Sequence, residues 1–222
     1  RLDTPYMREN GKLIKTSWDK ALNFLIKKLR SYEPNEIAGI VGDLADLEMI
    51  YSFKSFFEDC VGSSNFECRQ DKIYINPQER MNYVFNSKIN GIEEADFILL
   101  IGTNPRLEAT ILNARIRKAC IKNKIDIYCI GEPGDLTYKH KNIGSSTSII
   151  KEIVSGSHDI YKKIKISKKP MIVIGESALY GKSGEYVFET IKEFLSNNNF
   201  IRNDWNALNI LTKDASTVGA ID

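Results

Sequence analysis

The chain has 222 residues, 42% of them hydrophobic and 27% charged, an ordinary balance for a globular protein with room for a sizeable core. Its formal net charge of +2 gives no electrostatic case for nucleic acid or anionic lipid, and no apolar run approaches the ~20 residues that a membrane-spanning helix needs. The opening RLDTPYMREN is polar, unlike a signal peptide, and lacks an initiator Met, which suggests a segment of a longer protein.

Taken in chain order, residues 6–16 place Asn10-Gly11 between two short runs, the signal of a two-residue hairpin turn. Ser17 then caps a helix whose Trp18, Leu22, Leu25, Ile26 and Leu29 recur at helical spacing, and Pro34 closes it. EIAGIV (36–41) reads as a strand, DLADLEMIYSFKSFFEDC (43–60) as an amphipathic helix, and Gly62 as its stop. Residues 63–91 show no sustained period and read as an irregular crossover. A second alternation follows: a strand over 95–101, a helix over 106–123, a strand over 125–130 and a short helix over 145–156. The run KKIKISKK (162–169) reads as a solvated linker. A third unit has a strand over 170–174 and a helix over 184–197. Strand–Gly–helix units in series predict a parallel α/β fold, because parallel strands need crossover helices.

Several constellations fail on spacing. Gly175 and Gly181-Lys182-Ser183 are separated by five residues where a P-loop has four, so the phosphate cradle would not close. Gly39 and Gly42 form G-x-x-G and not the dinucleotide fingerprint G-x-G-x-x-G. The two histidines, His140 and His158, sit in polar contexts with no G-x-S-x-G elbow, and Glu93, Glu94 and Glu152 read as helix faces or caps. Cys60, Cys68, Cys120 and Cys129 lack the spacing of zinc or cluster ligands and are expected to be buried or half-buried thiols. What remains is FILLIGTNPRLEAT (97–110), where a buried strand meets Gly102-Thr103-Asn104-Pro105 before a helix. By chemistry alone this loop suits either a phosphate or ribose, with Arg106 as a nearby cation, or a plain turn with an N-cap.

Residues 95–119 and 1–22 resemble segments of the molybdopterin oxidoreductase superfamily: a strand ending in Gly-x-Asn-Pro, and the stretch that follows its iron–sulfur module. Asn113-Ala114-Arg115-Ile116-Arg117-Lys118, the ending ILTKDASTVGAID and Leu2-Asp3-Thr4-Pro5-Tyr6 narrow the resemblance to the large iron–sulfur subunits of respiratory NADH-quinone oxidoreductase, complex I. The resemblance implies nested three-layer parallel-sheet, Rossmann-like domains. Residues 1–75 plus 167–222 would form one discontinuous domain, 92–166 an inserted one, and 76–91 the crossover. It also implies that the [2Fe–2S] and [4Fe–4S] clusters lie upstream, that no cofactor is held here, and that the partners are other peripheral-arm subunits at the cytoplasmic face of the bacterial inner membrane. A pterin-binding relative of formate dehydrogenase type would instead contact a guanine dinucleotide through Gly102, Asn104 and Glu132. A third reading is a small nucleotide-binding regulator using 102–105 or 175–183. Two departures speak against a bound pterin: Cys68 precedes Arg69 where the metal-ligand motif has the reverse order, and Gly131-Glu132-Pro133-Gly134 replaces Asp-Pro-Arg after the strand at 125–130. The three contact residues therefore read as vestiges, with Asn104 and Pro105 kept mainly to start the helix.

Overall fold

The computed structural model describes residues 3–42, 44–68 and 72–222, and the chain forms two units, 1–68 and 69–222. Asp43 and the Arg69 of the ligand-register comparison lie outside the described residues. In the first unit, β1 (Tyr6–Glu9) and β2 (Lys12–Lys15) pair antiparallel with Glu9 opposite Lys12. Asn10 and Gly11 both take positive φ, as a type I′ turn requires. The Ser17 side chain accepts from Lys20 N to start α1 (Trp18–Leu29), as the sequence predicts. The expected strand at 36–41 shortens to β3 (Gly39–Ile40). Asp46 caps α2 (Leu47–Ser55), a π-helical turn follows over Phe56–Val61, and Gly62 ends it at φ +74°. β4 (Phe66–Glu67) pairs parallel with β3, inside the stretch expected to be irregular. A Cβ on Gly39 would stand 2.3 Å from the Phe57 ring, so this glycine serves packing and not a dinucleotide.

The second unit is built on one parallel sheet. After a turn at Arg80–Asn82 come α3 (Lys88–Gly91), β5 (Phe97–Ile101), α4 (Pro105–Glu108), α5 (Thr110–Asn123), β6 (Asp126–Ile130) and β7 (Lys141–Asn142). Then follow α6 (Ser148–Val154), α7 (Ile160–Ile166), β8 (Pro170–Gly175), α8 (Glu176–Leu179), α9 (Lys182–Asn197), β9 (Leu208–Leu211) and α10 (Thr217–Ile221). The strand order is β7-β6-β5-β8-β9, with every pair parallel. Right-handed crossovers that run toward β6 and back toward β8 put helices on opposite faces. β5 and β8 are buried along their whole length, the pattern of central parallel strands covered on both faces, and the edge strand β9 is buried as well.

The units divide after residue 68, whereas the expected arrangement nests 92–166 inside a domain of 1–75 plus 167–222. β5 from the first of those stretches and β8 from the second share one sheet, in register Phe97–Pro170 through Ile101–Ile174. Three expectations about individual elements and residues are corrected here. The helix expected over 106–123 breaks at Ala109, whose φ of −151° lies outside the helical range. Much of the expected linker at 162–169 is helix α7, because Ile160 and Ile164 are one turn apart and both reach the core. Of the thiols, Cys129 is buried, Cys68 and Cys120 are half-buried, and Cys60 is exposed, against expectation.

Candidate functional site

In an open parallel sheet, ligands bind beyond the carboxyl ends of the strands, where the strand order reverses. Here that point lies between β5 and β8, and Gly102, Asn104 and Glu132 all sit at this end of the sheet. Gly102 takes φ +58°, and a Cβ there would stand 2.6 Å from Ala178 Cβ and 2.7 Å from Ala178 N. On the facing strand, a Cβ at Gly175 would stand 2.5 Å from Gly102 O. Ser177 Oγ donates to that same carbonyl. The loops after β5 and β8 therefore touch backbone to backbone, where a nucleotide-binding crevice would need width.

Several polar groups of the loop are committed within the chain. Gly102 N donates to Ile130 O at 2.9 Å, and Gly131 N to Gly144 O at 2.8 Å. Thr103 Oγ1, on a buried residue, donates to Glu108 Oε2 at 2.5 Å. Asn104 Oδ1 accepts from Arg106 N and Leu107 N at 3.1 and 3.3 Å, so this side chain serves as the N-cap of α4. Arg106 Nη1 reaches Asp135 Oδ2 at 2.5 Å and Asp135 O at 3.1 Å. The Thr137 amide and then the Arg106 guanidinium hold the Asp135 carboxyl below the usual carboxylate range. Glu132 is exposed and makes no hydrogen bond or ion pair among the described residues.

Sequence reasoning missed Asp135, which lies 29 positions from Arg106 and carries no motif of its own. It also missed the use of the Asn113–Lys118 motif. Asn113 Nδ2 donates to Leu136 O at 3.2 Å and Arg117 Nη1 to Thr137 O at 2.7 Å, so α5 grips the segment after β6. Arg115 and Lys118 both pair with Glu93, at 2.8 and 2.7 Å. The Gly-Lys-Ser decoy is resolved as well: α8 fills the interval after Gly175, and buried Glu176 accepts from Lys213 N at 2.7 Å. Burial raises that carboxyl's pKa above its ordinary range, partly offset by the Lys213 amide.

A pterin dinucleotide needs free donors and a cleft at this edge. The residues present fit it poorly: Thr103 and Arg106 are paired within the chain, and Gly102 O fills the space before Gly175, although Asn104 Nδ2 and Glu132 stay outside these pairings. Among the described residues, no three His, Cys, Asp or Glu side chains are placed to hold a metal ion.

Comparison with known proteins places this geometry. The NADH-ubiquinone oxidoreductase 75 kDa subunit of Reclinomonas americana is 39% identical over 236 residues, covering 100% of this chain and 34% of that protein. An NADH-quinone oxidoreductase subunit of Rickettsia conorii is 37% identical over 222 residues, with 100% and 33% covered. The chain thus spans about a third of the length of these relatives. A chain in the crystal structure of the formyltransferase/hydrolase complex from Methylorubrum extorquens with methylofuran superposes at TM-score 0.54 and 13% identity, covering 94% of this chain and 60% of that one, a likeness of fold alone. The molybdopterin oxidoreductase family model matches residues 1–222, from the first hairpin to the last helix, and the chain belongs to that family.

Proposed function

We propose that this chain is the pterin-domain-like part of a large NADH-quinone oxidoreductase subunit and acts as a structural scaffold without a redox centre of its own. The observation that carries this reading is identity of 36–39% along the whole chain to proteins named as subunits of that enzyme. The closed crevice between β5 and β8 supports the cofactor-free half of it. In this reading the iron–sulfur clusters belong to parts of the subunit beyond the matched third. The parent complex passes electrons from NADH to quinone, and this segment packs among peripheral-arm subunits at the cytoplasmic face of the inner membrane. Among the described residues, no helix is long and apolar enough to cross a membrane.

The rival within the same family is a working molybdopterin guanine dinucleotide enzyme. Metal and pterin analysis of the full-length protein separates the two. The scaffold reading expects iron but neither molybdenum nor tungsten, and no pterin fluorescence after oxidative release. Stoichiometric molybdenum or tungsten would overturn it.

A further inference from the structure

The first unit carries the beginning of a parallel α/β layer. β3, α2 and β4 follow one another with the two strands parallel, a strand–helix–strand crossover. Gly39 N donates to Asn65 O at 2.9 Å and Val41 N to Glu67 O at 3.1 Å. Backbone groups alternate in direction along a strand, so Gly39 and Val41 face β4, and the N–H and C=O of Ile40 between them point away from it. Neither of these two groups has a hydrogen-bond partner among the described residues. On β4 the outward amide is already used: Phe66 N donates to Ser64 O at 3.0 Å. The open edge of this sheet therefore belongs to β3.

One face of the sheet is bare as well. A Cβ on Gly39 would meet the Phe53 and Phe57 rings, so Gly39 faces α2 and the π-helical turn. Ile40 then points to the opposite face, where it is 69% exposed. Parallel sheets occur with both faces covered, and two short strands do not hold a sheet by themselves. What completes this one follows from its size. β3 is two residues long, so an added strand gains few backbone pairs there, a poor return for the freedom lost when a separate chain binds. A strand of the same polypeptide avoids most of that cost, because the covalent link sets a high effective concentration. The relatives hold chain enough for it, since the matched segment is only 34% of the Reclinomonas americana protein and 33% of the Rickettsia conorii one.

We infer that β3 is an internal strand of a larger sheet in the whole subunit: a strand of the same polypeptide from outside residues 1–222 pairs with Ile40, and further residues of that region cover its side chain. This rests on the scaffold reading only in taking these residues to belong to a longer subunit; metal and pterin analysis reads a different property, so either can fail alone. The full-length subunit, purified free of other subunits, is exposed to deuterated buffer. Its Ile40 amide should exchange at least about a hundredfold more slowly than an unprotected amide, within the range of local opening equilibria. In the same protein, Ile40→p-benzoylphenylalanine should cross-link on irradiation to peptides of its own chain outside residues 1–222. Free exchange at Ile40, or protection that arises only when other subunits are present, would overturn the inference. So would cross-links confined to residues 1–222 or to another protein. The exchange measurement uses the natural protein and decides the matter even where the variant does not fold.

Discussion

Gly102 shows how one residue sets the state of the crevice. Its φ of +58° and the 2.6–2.7 Å approach to Ala178 leave no place for a side chain. Gly102→Ala should cost about 2 kcal/mol, from left-handed backbone strain and displacement of the Ala178 backbone. A denaturant titration should register it as a lower midpoint, and an unchanged midpoint would mean that the two loops are not packed as described. Glu176 gives a pH-dependent counterpart. Burial raises its folded pKa above the unfolded value, so the folded chain binds this proton more tightly, and its contribution falls as pH rises from the unfolded carboxylate range through the folded pKa. Glu176→Gln keeps an acceptor for Lys213 N and removes that dependence. Relative to the natural chain, it should gain stability as pH rises above the unfolded carboxylate range, where the natural chain must either keep the proton or bury the charge. Equal stability curves would refute the buried, shifted carboxyl. Gly102 was legible in the sequence as a special position; Glu176 was not, since its acceptor role depends on an amide 37 positions away.

At the scale of elements, β9 shows how an open edge is closed. Residues 84–87 run along it: Ile210 N donates to Val84 O at 3.1 Å, and Phe85 bridges Asn209 antiparallel. Asn209 is fully buried; its Oδ1 accepts from Ser87 N at 2.8 Å, and its Nδ2 donates to Ser87 Oγ and Ala207 O. Asn209→Ala would orphan a buried amide and should cost about 2–3 kcal/mol, measured as a shifted denaturation midpoint with little change of slope. The sequence marked the strands at 95–101 and 170–174 because continuous β-branched and Leu runs bounded by Gly are distinctive. It did not mark β9, whose central Asn209 breaks the apolar run, or β4 and β7, whose two residues carry no period. Helix α7 was missed because its three lysines mask Ile160 and Ile164, one helical turn apart.

For the whole molecule, the core belongs to one unit. Every residue of the main hydrophobic cluster lies between Ile92 and Leu211, whereas Phe57 is the only buried hydrophobic residue described in 1–68. Residues 69–222 expressed alone should therefore keep an α/β circular dichroism spectrum and unfold cooperatively, because apolar burial supplies most of the folding free energy. Residues 1–68 alone should show no cooperative transition. A cooperative 1–68, or a molten 69–222, would contradict this distribution of the core.

The sequence by itself determined the parallel α/β class, the hairpin at Asn10-Gly11, the Ser17 and Asn104 caps, and the family, since each rests on local spacing or on a run of neighbouring residues. Tertiary structure alone decided that β8 joins β5, that Arg106 answers to Asp135, and that Gly102 lies against Gly175. These are contacts between residues tens of positions apart, and no local pattern in the chain encodes which partner a strand, a guanidinium or a carbonyl will meet. The loop at 102–105 has the sequence of a binding site, and its neighbours in space give it the packing of a closed turn.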